Sequence, residues 1–356
     1  MNNIFKPIKI NSIKLKNRLL IGPMCQYSAR NGVPTEWHYK HYSNLSKLEA
    51  GLVILESTAV SKEGRITKKD LILSNNIEAK KMSRLIKFIK KDSSSKFGIQ
   101  ISHSGRKGSV NLPWVKNGKP LGKSKWKTYS ASNQKRADGW PKPETINILK
   151  AKKILNDFKN CAKLADKVGF DLLELHAAHG YLLHQFLSPI SNYRNDIYGG
   201  NLKKRFRYFL DIARQIRNIW PKNKILGARI TADDCLKGGI NLNEAIILSK
   251  NLKKIGYDYI IPNIGGIIPI TKKKVSPCYQ VKYANKIKQK VNLKIIASGM
   301  IRTDKEINYI LKNKFADLIC VSKPFINDPY WFIKIMQKNK IDFKIPNQYK
   351  ACFKEY

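Results

Sequence analysis

Short apolar runs alternate with amphipathic stretches from Arg18 into the 330s, and this alternation restricts the possible folds more than any other feature of the chain. Most of the apolar runs are continuous, as expected for parallel strands that are covered on both faces. The runs predict eight strands: Leu19–Gly22, Gly51–Ser57, Phe97–Ser102, Phe170–His176, Ile225–Ile230, Tyr257–Asn263, Leu293–Ser298 and Ala316–Val321. Eight successive β-then-α units predict an α/β fold, a single (β/α)₈ TIM barrel.

The stretches between the strands have helical periodicity. In the window Glu78–Lys90, apolar residues recur at i, i+3, i+4 and i+7. The other predicted helices are Ile148–Lys167, Leu202–Ile219 and Asn243–Lys254. In the last of these, Asn243 is placed to cap the first turn.

A barrel of this type takes roughly 250 residues, which leaves about 100 for additions. Residues 1–17 contain two alternating runs around Asn11-Ser12, which predict a β-hairpin over the barrel's N-terminal end. Residues 103–146, rich in Gly, Pro, Trp and Ser, predict a capping insertion after the third strand. Residues 341–356 form a C-terminal tail, and the whole chain, 1–356, is expected to be one domain. A doubly wound sheet is the alternative, but no Gly-x-Gly-x-x-Gly follows the first strand.

The chain is strongly basic, with 68 Lys and Arg against 25 Asp and Glu, a formal net charge of +43. Such a charge raises the question of nucleic-acid binding. The lysines, however, are spread over most predicted helices and are not gathered into an arm or one helix face with interleaved aromatics. A solvated cationic surface is therefore favoured and no specific nucleic-acid partner is expected, while a non-enzymatic basic nucleic-acid-binding protein stays open as an alternative.

The six cysteines are far apart and include no Cys-x-x-Cys pair, so the sequence predicts neither a disulfide framework nor a clustered metal site. The N-terminus lacks the apolar segment of a signal peptide, and no apolar run approaches about 18 residues. We therefore expect a cytoplasmic protein without a membrane partner.

Active sites of such barrels gather at the carboxyl ends of the strands. The side chains that follow the predicted strands include an amide, a thiol, imidazoles, phenols and cations, but no cluster of carboxylates. That composition argues against glycoside hydrolysis, which needs a pair of carboxylates. His176 and His179 are metal ligands by type, but the further ligands of a hydrolytic centre are missing, so no metal is expected.

The segment His176-Ala177-Ala178-His179-Gly180-Tyr181 ends the fourth predicted strand. A single histidine at a strand end is usually a buried residue with its hydrogen bonds satisfied. Two imidazoles and a phenol together suggest chemistry, because each neutral imidazole can donate a hydrogen bond to a carbonyl oxygen and the phenol can give up a proton. These two actions are half of the reduction of a conjugated carbonyl compound.

Four segments of the sequence resemble the old yellow enzyme family, in particular its bacterial branch with a cysteine after the first strand. They are GPMCQYSARNGVPTEWH, FGIQISHSGRKGS, FDLLELHAAHGYLLHQFLSPISNYRNDIYGGNLKKRFRY and PCYQVKYANKIK. The similarity extends from Phe5 to about Tyr349. It implies an ene-reductase that binds FMN without a covalent bond, accepts hydride from NAD(P)H and reduces an α,β-unsaturated carbonyl compound.

The resemblance also implies roles for individual residues. His176 and His179 match the pair that binds the substrate carbonyl, Tyr181 matches the proton donor, Tyr27 matches a residue of the substrate pocket, and Cys25 matches the cysteine beside the flavin. The other positions that match flavin contacts are Pro23, Met24, Ala59, Gln100 and Arg229, with the phosphate expected near Ser298, Gly299, Met300, Ser322 and Lys323. An amide such as Gln100 can pair with the pyrimidine edge, and a guanidinium can stabilise the negative charge of reduced flavin.

Two positions depart from the family pattern. Ser322-Lys323 stands where relatives usually have Gly-Arg, which replaces a planar fork by a point charge. Ala351 stands where relatives often have an arginine that reaches a neighbouring subunit, so homo-oligomer formation is left open. An FMN barrel that acts on RNA, similar to a dihydrouridine synthase, is the enzymatic alternative, but the chain has little room for an RNA-binding domain after the eighth unit.

Overall fold

The computed structural model describes residues 3–123, 125–269, 275–344, 347–348 and 351. Most of the predicted C-terminal tail lies outside these residues. In chain order the strands are β1 (Ile8–Ile10), β2 (Ile13–Leu15), β3 (Leu19–Ile21), β4 (Leu52–Ala59), β5 (Lys96–Ser102), β6 (Tyr129–Ser130), β7 (Glu144–Thr145), β8 (Leu172–Ala177), β9 (Ile225–Asp233), β10 (Tyr259–Ile264), β11 (Lys294–Ala297) and β12 (Leu318–Val321).

The helices alternate with the strands of the barrel. They are α1 (Glu36–Ser46), α2 (Asn76–Lys91), α3 (Ile148–Val168), α4 (Leu182–Leu187), α5 (Leu202–Ile219), α6 (Leu242–Ile255), α7 (Val281–Lys290), α8 (Asp304–Lys312), α9 (Lys323–Asn327) and α10 (Trp331–Lys338). Short 3₁₀ turns lie at Asn3–Phe5, Lys62–Gly64, Gly105–Lys107 and Lys116–Gly118.

Eight of the strands form a closed barrel in the order β3-β4-β5-β8-β9-β10-β11-β12, with β12 paired to β3. Every pair in the barrel is parallel. The predicted (β/α)₈ barrel is therefore confirmed, and the doubly wound alternative is wrong because the sheet closes on itself.

The hairpin β1–β2 covers the N-terminal end of the barrel. Its Ile8, Ile10 and Leu15 belong to the same buried cluster as the side chains that fill the lower barrel, such as Leu52 and Ile225. At the turn, Asn11 adopts a φ of 52° and its Nδ2 donates to the carbonyl oxygen of Lys224, at 3.2 Å, just before β9. This contact fixes the hairpin to the barrel wall. A larger apolar cluster lies between the strands and the surrounding helices.

The connection between β5 and α3, residues 103–146, contains the two-residue pair β6–β7. Arg106 anchors this segment, because its Nη1 donates to the Gln134 carbonyl at 3.2 Å and its Nη2 to the Ile267 carbonyl at 2.9 Å. Trp126 Nε1 donates to the Glu63 carbonyl at 3.2 Å. The insertion is thus tied to the loops after β4 and β10, both at the carboxyl end of the barrel.

The cap of α6 differs from the prediction. Asn241, and not Asn243, precedes the helix, with extended backbone at φ −120° and ψ 171°, and its side chain accepts from the Glu244 backbone N–H at 3.1 Å. Asn243 lies inside the first turn, where its own backbone is already helical and its side chain is exposed. A side chain caps an N–H group two or three residues further along, so the residue before the helix has the required reach.

Replacing these two asparagines tests the assignment of the cap. Asn241→Ala should lower the free energy of unfolding by about 1 kcal/mol, because it leaves an N–H group of the first turn without its partner. Asn243→Ala is the matched control and should change stability by less than about 0.5 kcal/mol. Denaturant unfolding followed by circular dichroism measures both. A larger loss in Asn243→Ala than in Asn241→Ala would contradict the assignment.

Candidate active site

The carboxyl ends of the barrel strands surround a cavity of about 460 Å³. Seven residues expected at a cofactor or substrate site line it: His179, Arg229, Ser298, Gly299, Met300, Ser322 and Lys323. They come from four different strand ends, so the barrel brings together residues that are far apart in the sequence. Asn263, Tyr279 and Gln280 also line the cavity and were not predicted.

A buried carboxylate lies at the base of this site. Glu174, on β8, is fully buried, and its Oε1 accepts hydrogen bonds from Gln100 Nε2 at 2.6 Å and from Arg229 Nε at 3.0 Å. Its Oε2 accepts from the Tyr259 hydroxyl at 2.9 Å. Gln100 and Arg229, both predicted cofactor contacts, are therefore held by one carboxylate that the sequence analysis did not identify.

Arg229 keeps its charge inside the barrel. Burial alone would lower the pKa of the guanidinium, but the Glu174 carboxylate outweighs that effect and raises the pKa above its ordinary value. Among the residues that the structure describes, the Nη atoms make long contacts, to Asn263 Oδ1 at 3.4 Å and to Cys320 Sγ at 3.7 Å. The outer edge of the guanidinium is thus available to an acceptor in the cavity, which Arg229 lines.

His176, His179 and Tyr181 form one cluster of rings. The His176 ring centroid lies 5.1 Å from that of His179 and 4.9 Å from that of Tyr181. His176 Nδ1 accepts from the Ala178 N–H at 3.3 Å, which leaves Nε2 as the N–H donor of the neutral ring. The pairing of His176 with Arg229 in the β8–β9 register places this cluster beside the cavity.

Burial determines the protonation states of the cluster. Burial, the His179 ring and Arg229 lower the pKa of His176 well below its ordinary value, and burial together with Arg229 and Lys107 lowers the pKa of His179 to about 3. Both imidazoles are therefore neutral near pH 7. Burial, with the negative charge of nearby acidic groups, raises the pKa of Tyr181, so its phenol keeps its proton.

The turn that carries His179 and Tyr181 is clamped at Gly180. The Gly180 N–H donates to His184 Nδ1 at 2.8 Å, and its carbonyl accepts from Gln185 Nε2 at 2.7 Å. His179 and Gly180 both have positive φ, 58° and 73°, a conformation that is unfavourable for histidine. A Cβ on Gly180 would lie 2.1 Å from the Gly266 carbonyl oxygen, so only glycine fits there.

Asp234 in turn fixes the orientation of the His184 ring. Because Nδ1 accepts from Gly180, Nε2 carries the ring proton and donates to Asp234 Oδ1 at 2.8 Å. The other carboxylate oxygen of Asp234 accepts from the Ser188 hydroxyl at 2.6 Å and from the Ile240 N–H at 2.8 Å. His184 and Asp234 are fully buried. The pair therefore connects the turn on β8 to the loop that follows β9.

The loop after β3 carries four of the predicted site residues. Pro23, Met24, Cys25 and Tyr27 are half-buried there, and the neighbouring Gln26 N–H donates to the buried Glu56 Oε2 at 2.9 Å. Burial, with Asp70 and Glu56, raises the pKa of the Cys25 thiol well above its ordinary value, which keeps it protonated. The Tyr27 ring lies 6.0 Å from that of Trp114 in the insertion, so the phenol faces the cap.

The predicted phosphate end is built by close backbone packing. Gly299 and Met300 both have positive φ, 104° and 55°, and a Cβ on Gly299 would lie 2.9 Å from Gln280 Cγ. The Ser322 hydroxyl donates to the Gly22 carbonyl at 3.3 Å, and the exposed Lys323 begins α9. Ala59 ends β4, where its N–H donates to the Leu71 carbonyl at 2.8 Å. It does not line this cavity.

Two observations bear on metal sites and on membrane-spanning helices. Among the described residues, no three His, Cys, Asp or Glu side chains are grouped so that they could hold a metal ion. In the same part of the chain, the helices are all too short or too polar to cross a membrane.

Lys107 is a cation close to the ring cluster. Its Nζ donates to the His179 carbonyl at 2.7 Å and lies 4.7 Å from the Tyr181 ring centroid.

A closed barrel whose strand ends present an amide, a guanidinium and paired imidazoles defines the class of protein, and comparison with known proteins gives the family. A model described as the NADH:flavin oxidoreductase / NADH oxidase family matches residues 3–342. The chain is 36% identical over 352 residues to an NADPH dehydrogenase from Clostridium acetobutylicum, covering 98% of this chain and 99% of the relative.

Solved structures show the same fold. An old yellow enzyme homologue from Zymomonas mobilis matches with a TM-score of 0.78 and 21% identity, covering 96% of this chain and 95% of that chain. A complex of 2-naphthoyl-CoA reductase matches with a TM-score of 0.85 and 20% identity over 94% of this chain, which spans 52% of that protein's length. The chain therefore belongs to the NADH:flavin oxidoreductase family of old yellow enzymes, which confirms the family resemblance. It is a nicotinamide-dependent flavin oxidoreductase.

The clamp on Gly180 can be tested by changing Asp234. Asp234→Asn should lower the free energy of unfolding by about 1–3 kcal/mol, because the amide cannot accept from all three buried donors at once. Amide exchange in a peptide that contains Gly180 should become faster. The control is Asp211→Asn, which removes an exposed pair with Arg214 at 2.8 Å and should change neither value appreciably. Equal effects of the two substitutions would contradict the clamp.

Proposed function

We propose that this protein is an FMN-dependent ene-reductase that uses NAD(P)H to reduce the double bond of α,β-unsaturated carbonyl compounds. The observation that carries the proposal is that two sets of groups share one site. Gln100 and Arg229 suit the pyrimidine edge of a flavin, and the ring cluster of His176, His179 and Tyr181 suits an activated alkene above it. The net reaction adds a hydride to the β-carbon and a proton to the α-carbon while the nicotinamide is oxidised.

The residues of the cavity fit a flavin. Arg229 is cationic, and within the described part of the chain its outer edge makes only the long contacts to Asn263 and Cys320. A Cβ on Gly22 would lie 2.6 Å from Cys320 Sγ and 2.9 Å from Ser322 Oγ, so the backbone after β3 packs closely against the end of β12 and glycine is needed there. When bound, FMN would supply the hydride transfer between nicotinamide and substrate. Pro23, Met24 and Ala59 are proposed contacts of its ring system.

The phosphate of the cofactor is proposed to bind the backbone of Ser298, Gly299 and Met300 together with Ser322 and Lys323. All five line the same cavity as Arg229. Successive backbone N–H groups in a turn with positive φ suit an anion, and the Lys323 ammonium adds a point charge.

The remaining site residues act on the substrate. We propose that His176 and His179, both neutral, donate hydrogen bonds to the substrate carbonyl oxygen and draw electron density from the double bond. Tyr181, which keeps its proton, donates that proton to the α-carbon. Tyr27 contacts the substrate from the opposite loop, and Cys25 lies beside the flavin. Residues 103–146 would cap the mouth and exclude water.

The proposal is tested by the absorbance of the purified protein. It should be yellow, bleach on anaerobic addition of NADPH and recover its colour with cyclohexenone. Tyr181→Phe should slow the recovery roughly 10²–10⁴-fold while leaving flavin bound, because the proton donor is gone. The control is Tyr193→Phe, whose ring is 65% exposed and which should behave as the unchanged protein. A colourless protein that binds no flavin, or an unchanged recovery rate in Tyr181→Phe, would contradict the proposal.

The neutral histidines predict a particular response to pH. Since the pKa of His179 is about 3 and that of His176 is also far below its ordinary value, neither ring gains a proton between pH 5.5 and 8.5. Burial, with Arg136 and Arg106, lowers the pKa of Lys107 to about 7, so this ammonium loses its proton within that range.

Burial also raises the pKa of Asp70 to about 7, and the charge of this carboxylate acts on Tyr27 and Tyr181. We therefore expect the affinity for a neutral enone to change with pH through Lys107 and Asp70 and not through the histidines. In a double variant with Lys107→Met and Asp70→Asn the affinity should be constant from pH 5.5 to 8.5. Spectroscopic titration of the oxidised protein measures it. A loss of affinity below pH 6.5 that persists in the double variant would show that a histidine of the pair becomes protonated, against this assignment.

A further inference from the structure

We propose that Glu174 is a positioning residue that sets the redox potential of the bound flavin by neutralising Arg229 beneath it. This inference rests on the proposed FMN site. Glu174 acts through Arg229 and Gln100, with which it makes hydrogen bonds of 3.0 and 2.6 Å, and it does not line the cavity itself.

The placement of the carboxylate in the barrel is unusual. Buried carboxylates are costly unless they are paired and hydrogen-bonded, and Glu174 is fully buried with three donors on its two oxygens. Two of these donors, Gln100 and Arg229, are the groups proposed to face the flavin. The carboxylate therefore decides both where these side chains point and how much net charge they present.

Reduced flavin carries negative charge near its pyrimidine edge. An uncompensated Arg229 would stabilise that charge strongly, because the interaction takes place in a site with little water. The Glu174 carboxylate, which accepts a hydrogen bond from Nε of the same guanidinium, offsets part of this stabilisation. The pair thus keeps the flavin easier to reoxidise than a lone arginine would, which favours transfer of hydride onward to the substrate.

Tyr259 adjusts the charge of the carboxylate from the other side. Its hydroxyl donates to Oε2 at 2.9 Å, which withdraws some negative charge from the side that faces Arg229. The chain makes room for this ring by placing glycine at 227, where a Cβ would lie 2.1 Å from the Tyr259 ring. Two neighbours of Arg229 should therefore change the flavin potential in opposite directions.

The experiment compares the flavin midpoint potential of the intact protein with that of Glu174→Gln and Tyr259→Phe. Glu174→Gln keeps an acceptor for Arg229 and Gln100 but removes the charge. It should raise the potential, with reduced flavin bound at least tenfold more tightly relative to oxidised flavin, which is about 30 mV for two electrons. Tyr259→Phe leaves the carboxylate more strongly charged and should lower the potential by a smaller amount.

Glu244→Gln on α6, which breaks an ion pair with Arg205 on α5, is the control for a simple loss of one negative charge, and it should leave the potential unchanged. A potential that moves in the same direction in both barrel variants, or that does not move in either, would overturn the inference. If Glu174→Gln does not fold, a fall of the potential in Tyr259→Phe supports the inference and a rise overturns it.

Failure of the proposed function gives a different result. If the intact protein binds no flavin, there is no potential to measure and the proposed function is wrong. If it binds flavin and all variants have equal potentials, the proposed function stands and only the role of Glu174 is wrong.

Discussion

The ion pair between Glu174 and Arg229 is the interaction on which the rest of the site depends. A charged pair at the centre of a barrel is stable only when its geometry is good and its remaining hydrogen-bonding positions are filled. Here the pairing of neighbouring strands fills them. Gln100 is in register with Glu174, Glu174 with Gly227, and Gly227 with Tyr259, so four adjacent strands contribute to one layer. A shift of one residue in any of these strands would turn a partner away from the carboxylate.

The same register joins the base of the site to its upper part. His176 lies two residues after Glu174 on β8, and Arg229 lies two residues after Gly227 on β9, so both point to the same side of the barrel wall. Above them the strained turn at His179 and Gly180 is held by His184 and Gln185 from α4. Backbone strain of this kind persists only where several independent contacts hold the conformation in place.

Much of this structure could be predicted from the sequence, and the parts that could not have physical reasons. Continuous apolar runs fixed the eight barrel strands, because strands covered on both faces must be apolar. The ends of strands are harder to predict from an apolar run. The predicted strand Ile225–Ile230 continues as β9 to Asp233, because polar residues extend it beyond the run. Asn241 and Asn243 are both suitable caps, and only the backbone shows which of them precedes the helix.

Some residues of the site could likewise be predicted from the sequence, and others could not. The resemblance named fifteen residues at or after strand ends, and seven of them line one cavity. Glu174 could have been found as the one charged residue in the apolar run LLELH, two positions before His176 and hence on the same face. The pairing of His184 with Asp234 could not be predicted from the sequence, because 50 residues separate the two in the chain. The roles of all the predicted site residues, including Cys25, Tyr27 and Ala59, stay predictions.

The most direct measurement is a crystal structure of the protein purified without added cofactor. The account predicts density for an isoalloxazine ring in the cavity, with its pyrimidine edge within hydrogen-bonding distance of Gln100 and Arg229 and its phosphate at Ser298–Met300 and Lys323. A ring bound elsewhere, or a barrel mouth filled by side chains or by a chelated ion, would contradict it.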